Sequence, residues 1–156
     1  MEKDKGETIV EVKFYMEYKE SKKAIEEMFD AYYRYKNSKR WGIFKSPDIR
    51  EKVLEKTDER WKEIRKISRK ERTIRAEFFE DHFVCTTGDV IQEYQYTEIE
   101  ALYETDTTFV FLAGKNRKKE AFLGLKKGSV KGRSLADLKK FLLERCTKVT
   151  KGIELL

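Results

Sequence analysis

His82 is the only histidine in the chain, and histidine is the side chain best suited to general acid–base catalysis near neutral pH. Glu80 and Asp81 precede it and could orient its ring. No serine, cysteine or second histidine lies at a spacing that would complete a nucleophilic site. We therefore interpret Glu80-Asp81-His82 as a turn, and we predict no catalytic residue.

The sequence also lacks the glycine-rich loops that bind nucleotide phosphates. Neither GxxxxGK(S/T) nor GxGxxG occurs, and Thr87-Gly88-Asp89 has the composition of a turn. Residues 76–110 contain nine acidic side chains and no lysine or arginine, but these acids occupy strand and turn positions, which favours a solvated surface over a metal site. We predict that the protein is not an enzyme and that it has no metal, cofactor or small-molecule substrate.

Basic side chains in the second half of the chain are the best candidates for a binding function. Residues 115–133 contain eight bases and one acid. Bases on a hairpin tip could contact anionic lipid head groups, each contributing about 1 kcal/mol near such a surface. A merely solubilising loop is the alternative. The predicted anion- or membrane-binding residues are Lys115, Arg117, Lys118, Lys119, Lys126 and Lys127.

A second candidate segment connects the two predicted helices of the first half. Its sequence, Arg40-Trp41-Gly42-Ile43-Phe44-Lys45, is aromatic and flanked by bases, which is typical of segments at a membrane–water interface. Arg40, Trp41 and Phe44 are therefore candidate interfacial residues. An ordinary connector whose tryptophan packs on the domain is the alternative.

Charge is segregated along the chain, whose formal net charge is +6. Residues 36–75 carry fifteen bases and seven acids, whereas residues 76–110 are acidic. If these segments lie on separate surfaces, the molecule is strongly dipolar. A nucleic-acid-binding protein would not usually place such an acidic block in its central sheet, so nucleic-acid binding by the basic helix within residues 36–75 is the least favoured binding hypothesis.

Hydrophobic periodicity predicts the elements that position these residues. Residues 9–18 alternate between apolar and polar, as in a half-buried strand. Residues 19–36 change to helical spacing, with Ser21 as the N-cap. A second helix is predicted from Ser46 to Lys70, with a narrow apolar stripe that suits packing against one partner surface or another helix. The stripe includes Val53, Leu54, Trp61 and Ile64.

From Arg72 onward, short strand-like runs alternate with turn signals, a pattern that suggests a barrel or a sandwich. Ser134 and Asp137 have the spacing of a capping box and predict the start of a closing helix. The tail after Thr147 is predicted to fray. The sequence therefore predicts an α+β fold.

The run Glu77-Phe78-Phe79-Glu80-Asp81-His82-Phe83, followed by residues 96–105 and Phe109-Val110-Phe111-Leu112, resembles the YcxB-like family. The resemblance covers about residues 72–146. It implies a pleckstrin-homology-like antiparallel barrel capped by the C-terminal helix. Residues 1–71 would then form an N-terminal strand and a helical pair, as an appendage to the barrel, and residues 147–156 would form a tail.

In that family, two membrane-spanning helices usually precede the barrel. They would fall between Tyr35 and Pro47, where this chain has only a dozen residues, so the membrane hairpin is missing here. No secretory signal or transmembrane segment is visible. We predict a soluble, cytoplasmic chain, and the resemblance suggests the cytoplasmic face of a membrane. Cys85 and Cys146 are interpreted as small buried residues in a reducing compartment, with a disulfide as the alternative.

Together these patterns favour a non-enzymatic, membrane-associated interaction or sensing module. Its partner would be an unknown protein or an anionic membrane surface. The alternative is a soluble protein–protein interaction or dimerisation module that uses the acidic sheet or the apolar stripe of the second helix, and a homodimer is one form of it.

Overall fold

The computed structural model describes residues 11–40, 49–68, 71–113 and 122–156. These residues form three α-helices, nine strands and two short 3-10 turns. In chain order the helices and strands are β1 (Phe14–Lys19), α1 (Lys22–Arg40), α2 (Ile49–Ile64), β2 (Thr73–Phe78), β3 (His82–Thr87), β4 (Val90–Gln95), β5 (Ile99–Glu104), β6 (Thr108–Ala113), β7 (Phe122–Lys126), β8 (Val130–Lys131), α3 (Leu135–Arg145) and β9 (Ile153–Leu155).

The strands are arranged in two sheets. One has five strands in the order β4-β3-β2-β1-β8, and the other has four in the order β9-β5-β6-β7. Neighbouring strands are antiparallel except β9, which lies parallel to β5. Within the described ranges no strand belongs to both sheets, and the sheets do not close into a barrel. The α+β class is therefore confirmed, and the pleckstrin-homology-like form of the barrel stays a prediction.

The main core lies between the two sheets. Alternation places one side of each strand inward, so Phe14 and Met16 of β1 are buried while their neighbours are only partly covered. The largest contributions are aromatic: Phe78, Phe83 and Phe111 pack together with ring centroids 5.0–6.2 Å apart. Such contacts add specific geometry to a large buried apolar area.

Helix α1 covers the other side of the four-stranded sheet. Ala31 and Tyr32 pack there against Tyr103, Val110 and Leu112 in a second apolar cluster. This layer explains why β6 is buried along almost its whole length, because a strand covered on both faces has no solvated side. Ser21 caps α1 as predicted, since the Ala24 amide donates to its Oγ over 3.2 Å.

Helix α2 packs antiparallel to α1, and charged pairs fix the register. Three ion pairs join the two segments. As the residue number increases from 20 to 26 in the first segment, the number of its partner decreases from 60 to 50 in the second, as antiparallel packing requires. The pairs are Glu20–Arg60 at 2.9 Å, Lys22–Asp58 at 3.1 Å and Glu26–Arg50 at 2.8 Å. The narrow stripe of α2 thus packs on another helix of the same chain.

Helix α3 contributes buried side chains to the main core. Its N-cap is Ser134, whose Oγ accepts from the Asp137 amide over 3.1 Å, as predicted. Leu138, Leu142 and Cys146 belong to the main core. One face of the C-terminal helix therefore packs in the main core.

Two details differ from the sequence prediction. The second helix ends at Ile64 instead of Lys70. The tail does not fray, because Ile153–Leu155 adds a strand to the edge of β5. In addition, β1 lies between β2 and β8, so the predicted boundary at residue 71 separates two paired strands.

Candidate functional site

Helix α1 has a defined direction across the four-stranded sheet. Near its start, Glu27 accepts hydrogen bonds from Thr105 and Thr107 in the β5–β6 turn. Further along, Tyr32 stacks on Phe122 with ring centroids 4.2 Å apart, and Tyr35 donates to Glu100 Oε1 over 2.7 Å. The helix therefore ends near the first residues of β5.

The last residues of α1, the residues that flank positions 114–121 and the segment 148–152 lie at that same end of the sheet. Ala113, the last residue of β6, is paired with Ile99, and Phe122, the first of β7, is paired with Leu112. Residues 114–121 are joined to the sheet by these two flanking positions. We call this end, formed by residues 36–40, Ala113, Phe122 and residues 148–152, the basic end.

Lys115, Arg117, Lys118, Lys119, Trp41 and Phe44 lie outside the described residues. Arg40 is the last residue of α1, and the two segments that contain the others are bounded by described residues.

Lys126 and Lys127, by contrast, lie at the opposite end of the sheet. Lys126 is paired with Thr108 at the start of β6, and Lys127 Nζ donates to Glu104 Oε2 over 2.8 Å. Lys139 also lies 2.5 Å from Glu104. Burial alone would raise the pKa of Glu104, but the two ammonium groups outweigh it and hold this pKa below its ordinary value. The structure therefore places these two lysines away from the basic end.

A cleft of about 490 Å³ opens at the basic end. The sequence did not predict this cleft. It lies between the end of α1, the start of β5 and the segment that leads into β9. Gly152 has a φ of 70°, a left-handed conformation that glycine adopts without strain, and it turns the chain into β9. The lining residues are Tyr35, Glu100, Ala101, Tyr103, Lys148, Val149, Thr150, Lys151, Gly152 and Glu154.

The floor of the cleft is aromatic and acidic. Ala101 and Tyr103 are buried, while Tyr35 and Glu100 are half-buried. Burial, followed by the nearby Glu154 carboxylate, raises the pKa of Tyr103 to about 12. Burial, followed by the hydrogen bond to Glu100, raises the pKa of Tyr35 well above its ordinary value. Both tyrosines therefore remain protonated hydroxyls at neutral pH.

The rim of the cleft is basic. Lys148 and Lys151 are exposed, and Thr150 lies between them on the same exposed segment. The sequence carried one usable signal for this wall: Gly152 followed by the alternation of Ile153, Glu154 and Leu155. That signal is short, and it becomes informative only once β5 is known to offer a free edge.

A second cavity of about 280 Å³ lies where both helices approach the sheets. Glu20 pairs there with Arg60, and its side chain is only 6% exposed. Burial raises the pKa of Glu20, although the pairing with Arg60 opposes this shift. Tyr18 donates from the same region to the carbonyl of Gly124, so this cavity lies at a structural junction between the sheets.

The stripe predicted as a helix interface is only partly available. Val53 and Ile64 are fully buried within the chain, whereas Leu54 is 42% exposed and Trp61 is half-buried. Of these four residues, an interface between chains through α2 would therefore use only Leu54 and Trp61.

The other groups considered for chemistry are His82, the acidic side chains and the two cysteines, taken here within the described residues. His82 Nδ1 lies 2.6 Å from Asp81 Oδ1, and its ring stacks on Phe79. No cluster of His, Cys, Asp and Glu suitable for a metal ion occurs in the described ranges. Cys85 and Cys146 are free thiols in the main core. Burial raises the pKa of each to about 12, with Glu20 adding to the shift for Cys85.

No family model, curated protein or solved structure matches this chain. None of the helices within the described ranges combines the length and the apolar character needed to cross a bilayer.

Proposed function

We propose that the protein is a non-enzymatic, membrane-associated interaction module that turns its basic end toward an anionic bilayer surface. The observation that carries the proposal is that the end of α1, the attachment points of a basic connecting segment and a lysine-containing segment lie at one end of the four-stranded sheet. The end of α1, the two positions that flank residues 114–121, and the lysines at 148 and 151 all belong to it.

The same proposal includes the finer fold assignment, a variant of the pleckstrin-homology-like fold akin to the YcxB-like family. Two mostly antiparallel sheets and a C-terminal helix whose Leu138 and Leu142 enter the core support it. The five-stranded sheet of this chain takes its β1 from the N-terminal segment, ahead of the two helices.

Electrostatics gives the proposal its expected strength. Each lysine or arginine near an anionic surface contributes about 1 kcal/mol. The connecting segment at 115–119 alone carries four bases. Glu104 and Asp106 lie at the opposite end of the sheet, where they pair with Lys127 and Lys23. These acids are therefore not part of the basic end. Binding by exposed charges weakens as salt is added.

Vesicle sedimentation tests the proposal. At low salt, the protein should pellet with vesicles rich in anionic lipid and stay in the supernatant with neutral ones. The double variant Lys118→Glu with Lys119→Glu should bind at least about 30-fold more weakly, since two favourable charges are lost at about 1 kcal/mol each. The matched control, Lys62→Glu with Lys66→Glu, reverses two exposed charges in the last turn of α2 and just beyond its end. If wild type does not bind at low salt, the proposal is refuted.

The alternative is association between chains through α2. It is favoured by one observation, the exposure of Leu54 beside a half-buried Trp61 on a helix whose Val53 and Ile64 are buried. Light scattering at high concentration should then show a dimer that Leu54→Glu converts to a monomer. A monomer for wild type at all concentrations excludes this form of the interaction.

A further inference from the structure

The cleft at the basic end contains matched charges of both signs. Two glutamates, Glu100 and Glu154, and two lysines, Lys148 and Lys151, contribute to its lining. Their formal charges cancel, so the cleft as a whole does not attract a simple anion. Its chemistry lies in where the charges are placed.

The charges are separated by depth. Glu100 and Glu154 are half-buried, with Glu100 bonded to Tyr35 and Glu154 close to Tyr103. The two lysines are exposed on the outer segment. A bound molecule therefore meets carboxylates and tyrosine hydroxyls inside, and ammonium groups outside.

We propose that this cleft binds a zwitterion in which a primary ammonium is joined to a phosphate, as in the ethanolamine head group of a phospholipid. The ammonium would enter toward Glu100 and Glu154, and the phosphate would remain between Lys148 and Lys151. This inference deepens the proposed function, on which it rests: the basic segments provide general attraction, and the cleft provides selection among head groups.

Three features of the cleft favour this ligand. Its volume of about 490 Å³ lies within the usual range of small-ligand sites, about 300–1,000 Å³. Carboxylates accept hydrogen bonds from a primary ammonium, which has three N–H donors, whereas a quaternary ammonium has none. The exposed lysines can contact a phosphate that stays attached to a lipid at the bilayer surface, because they need no deep entry.

The first experiment uses the soluble head group. Phosphoethanolamine, phosphocholine, inorganic phosphate and ethanolamine are titrated separately into the full chain, and binding is followed by amide chemical shifts. Phosphoethanolamine should bind at least about 10-fold more tightly than the other three, since losing one charged hydrogen bond costs at least that factor. The shifts should cluster at residues 100–103 and 148–154. Equal binding of inorganic phosphate, or of phosphocholine, overturns the proposal.

Variants separate the two ends of the ligand. Glu154→Gln and Lys151→Ala should each weaken phosphoethanolamine binding by about 10-fold, and Lys151→Arg should restore it. Lys140→Ala, an exposed lysine of α3 outside the cleft, is the matched control and should bind as wild type does. Because residues 151 and 154 lie outside the main core, thermal unfolding can verify that each variant is folded. Wild-type affinity in both folded variants overturns the assignment of the cleft.

Vesicles distinguish the lipid-bound head group from a free one. At a fixed anionic fraction, replacing phosphatidylcholine by phosphatidylethanolamine should increase sedimentation of wild type but not of Glu154→Gln. An equal effect on both proteins overturns the lipid-bound form. If phosphatidylethanolamine has no selective effect while binding to anionic vesicles persists, only the cleft proposal is refuted. If the protein binds phosphoethanolamine tightly but binds no vesicles at all, only the proposed function is refuted.

Discussion

Replacing Glu27 tests how the N-terminal helix is attached to the sheet. One carboxylate oxygen, Oε1, receives hydrogen bonds from the hydroxyls of Thr105 at 2.6 Å, Thr107 at 2.6 Å and Thr108 at 3.1 Å, and from the Thr107 amide at 3.0 Å. Thr105 and Thr108 are buried. The helix side chain thus organises the whole β5–β6 turn.

The expected cost follows from these contacts. A hydrogen bond to a charged group contributes about 1.5–3 kcal/mol, and a buried donor left without its acceptor costs about 1–3 kcal/mol. Glu27 is half-buried, so water replaces part of what Glu27→Ala removes. We therefore expect a loss of about 2–4 kcal/mol in the free energy of unfolding. Glu27→Gln keeps one acceptor oxygen and should lose about half as much.

Urea denaturation measures this difference. With a slope of about 2 kcal/mol/M, the midpoint of Glu27→Ala should fall by about 1–2 M at an unchanged slope. Glu55→Ala, which removes an exposed acid from α2, is the control and should change stability by less than about 0.5 kcal/mol. If Glu27→Ala behaves like Glu55→Ala, the turn does not depend on this carboxylate.

The pH dependence provides an independent readout. Burial alone would raise the pKa of Glu27, but the bonds from the three threonines outweigh it and lower this pKa below its ordinary value of 4.5. A carboxylate with a lowered pKa stabilises the folded state above its unfolded-state value, and this contribution is lost as the pH falls through the folded-state value. The difference between wild type and Glu27→Gln should therefore be full at pH 7 and should shrink below about pH 4.5. A difference that is constant with pH would argue against an ionised Glu27.

Two further predictions concern the packing of the core. Gly124→Ala should destabilise the protein by about 1–3 kcal/mol, because the added Cβ would lie 3.0–3.1 Å from Met28 of α1, whereas Gly128→Ala meets nothing within 4 Å and serves as its control. Equal midpoints in urea would contradict this close approach. Cys85 and Cys146 should remain unmodified by a thiol reagent in the native state and react fully in denaturant, since both are buried thiols with raised pKa values. Rapid labelling of the native protein would contradict this prediction.

The strands and caps were predictable because local residues determine them. Alternation in the segment 73–78 requires only that one side of a strand be covered, and Ser134 caps α3 through an amide three residues away. In contrast, β9 has three residues and no strong periodicity. It becomes a strand because β5 offers an edge, a tertiary effect that a local pattern does not contain.

The candidate site was harder to predict than the fold. Sequence proximity grouped Lys126 and Lys127 with residues 115–119, yet β7 lies between the two sets. Phe122 and Lys126 are about 13 Å apart along that strand, at about 3.3 Å per residue. The polar composition after Thr147 predicts only a tail for Lys148 and Lys151, because no local pattern shows that β9 brings them beside α1. In both cases the determining factor is the position of a strand end.

The basic end exists only when distant parts of the chain are docked together. Tyr18 of β1 donates across to the Gly124 carbonyl of β7, and the bonds to Glu27 attach α1 at the far end of the same sheet. These contacts set the direction in which α1 runs, and therefore where its basic C-terminus lies. The last strand, β9, then brings residues 148–152 to the same end. A surface assembled from residues 36–40, the ends of β6 and β7 and residues 148–152 should be lost together with the cooperative fold, so membrane binding should disappear at the same urea concentration as the native structure.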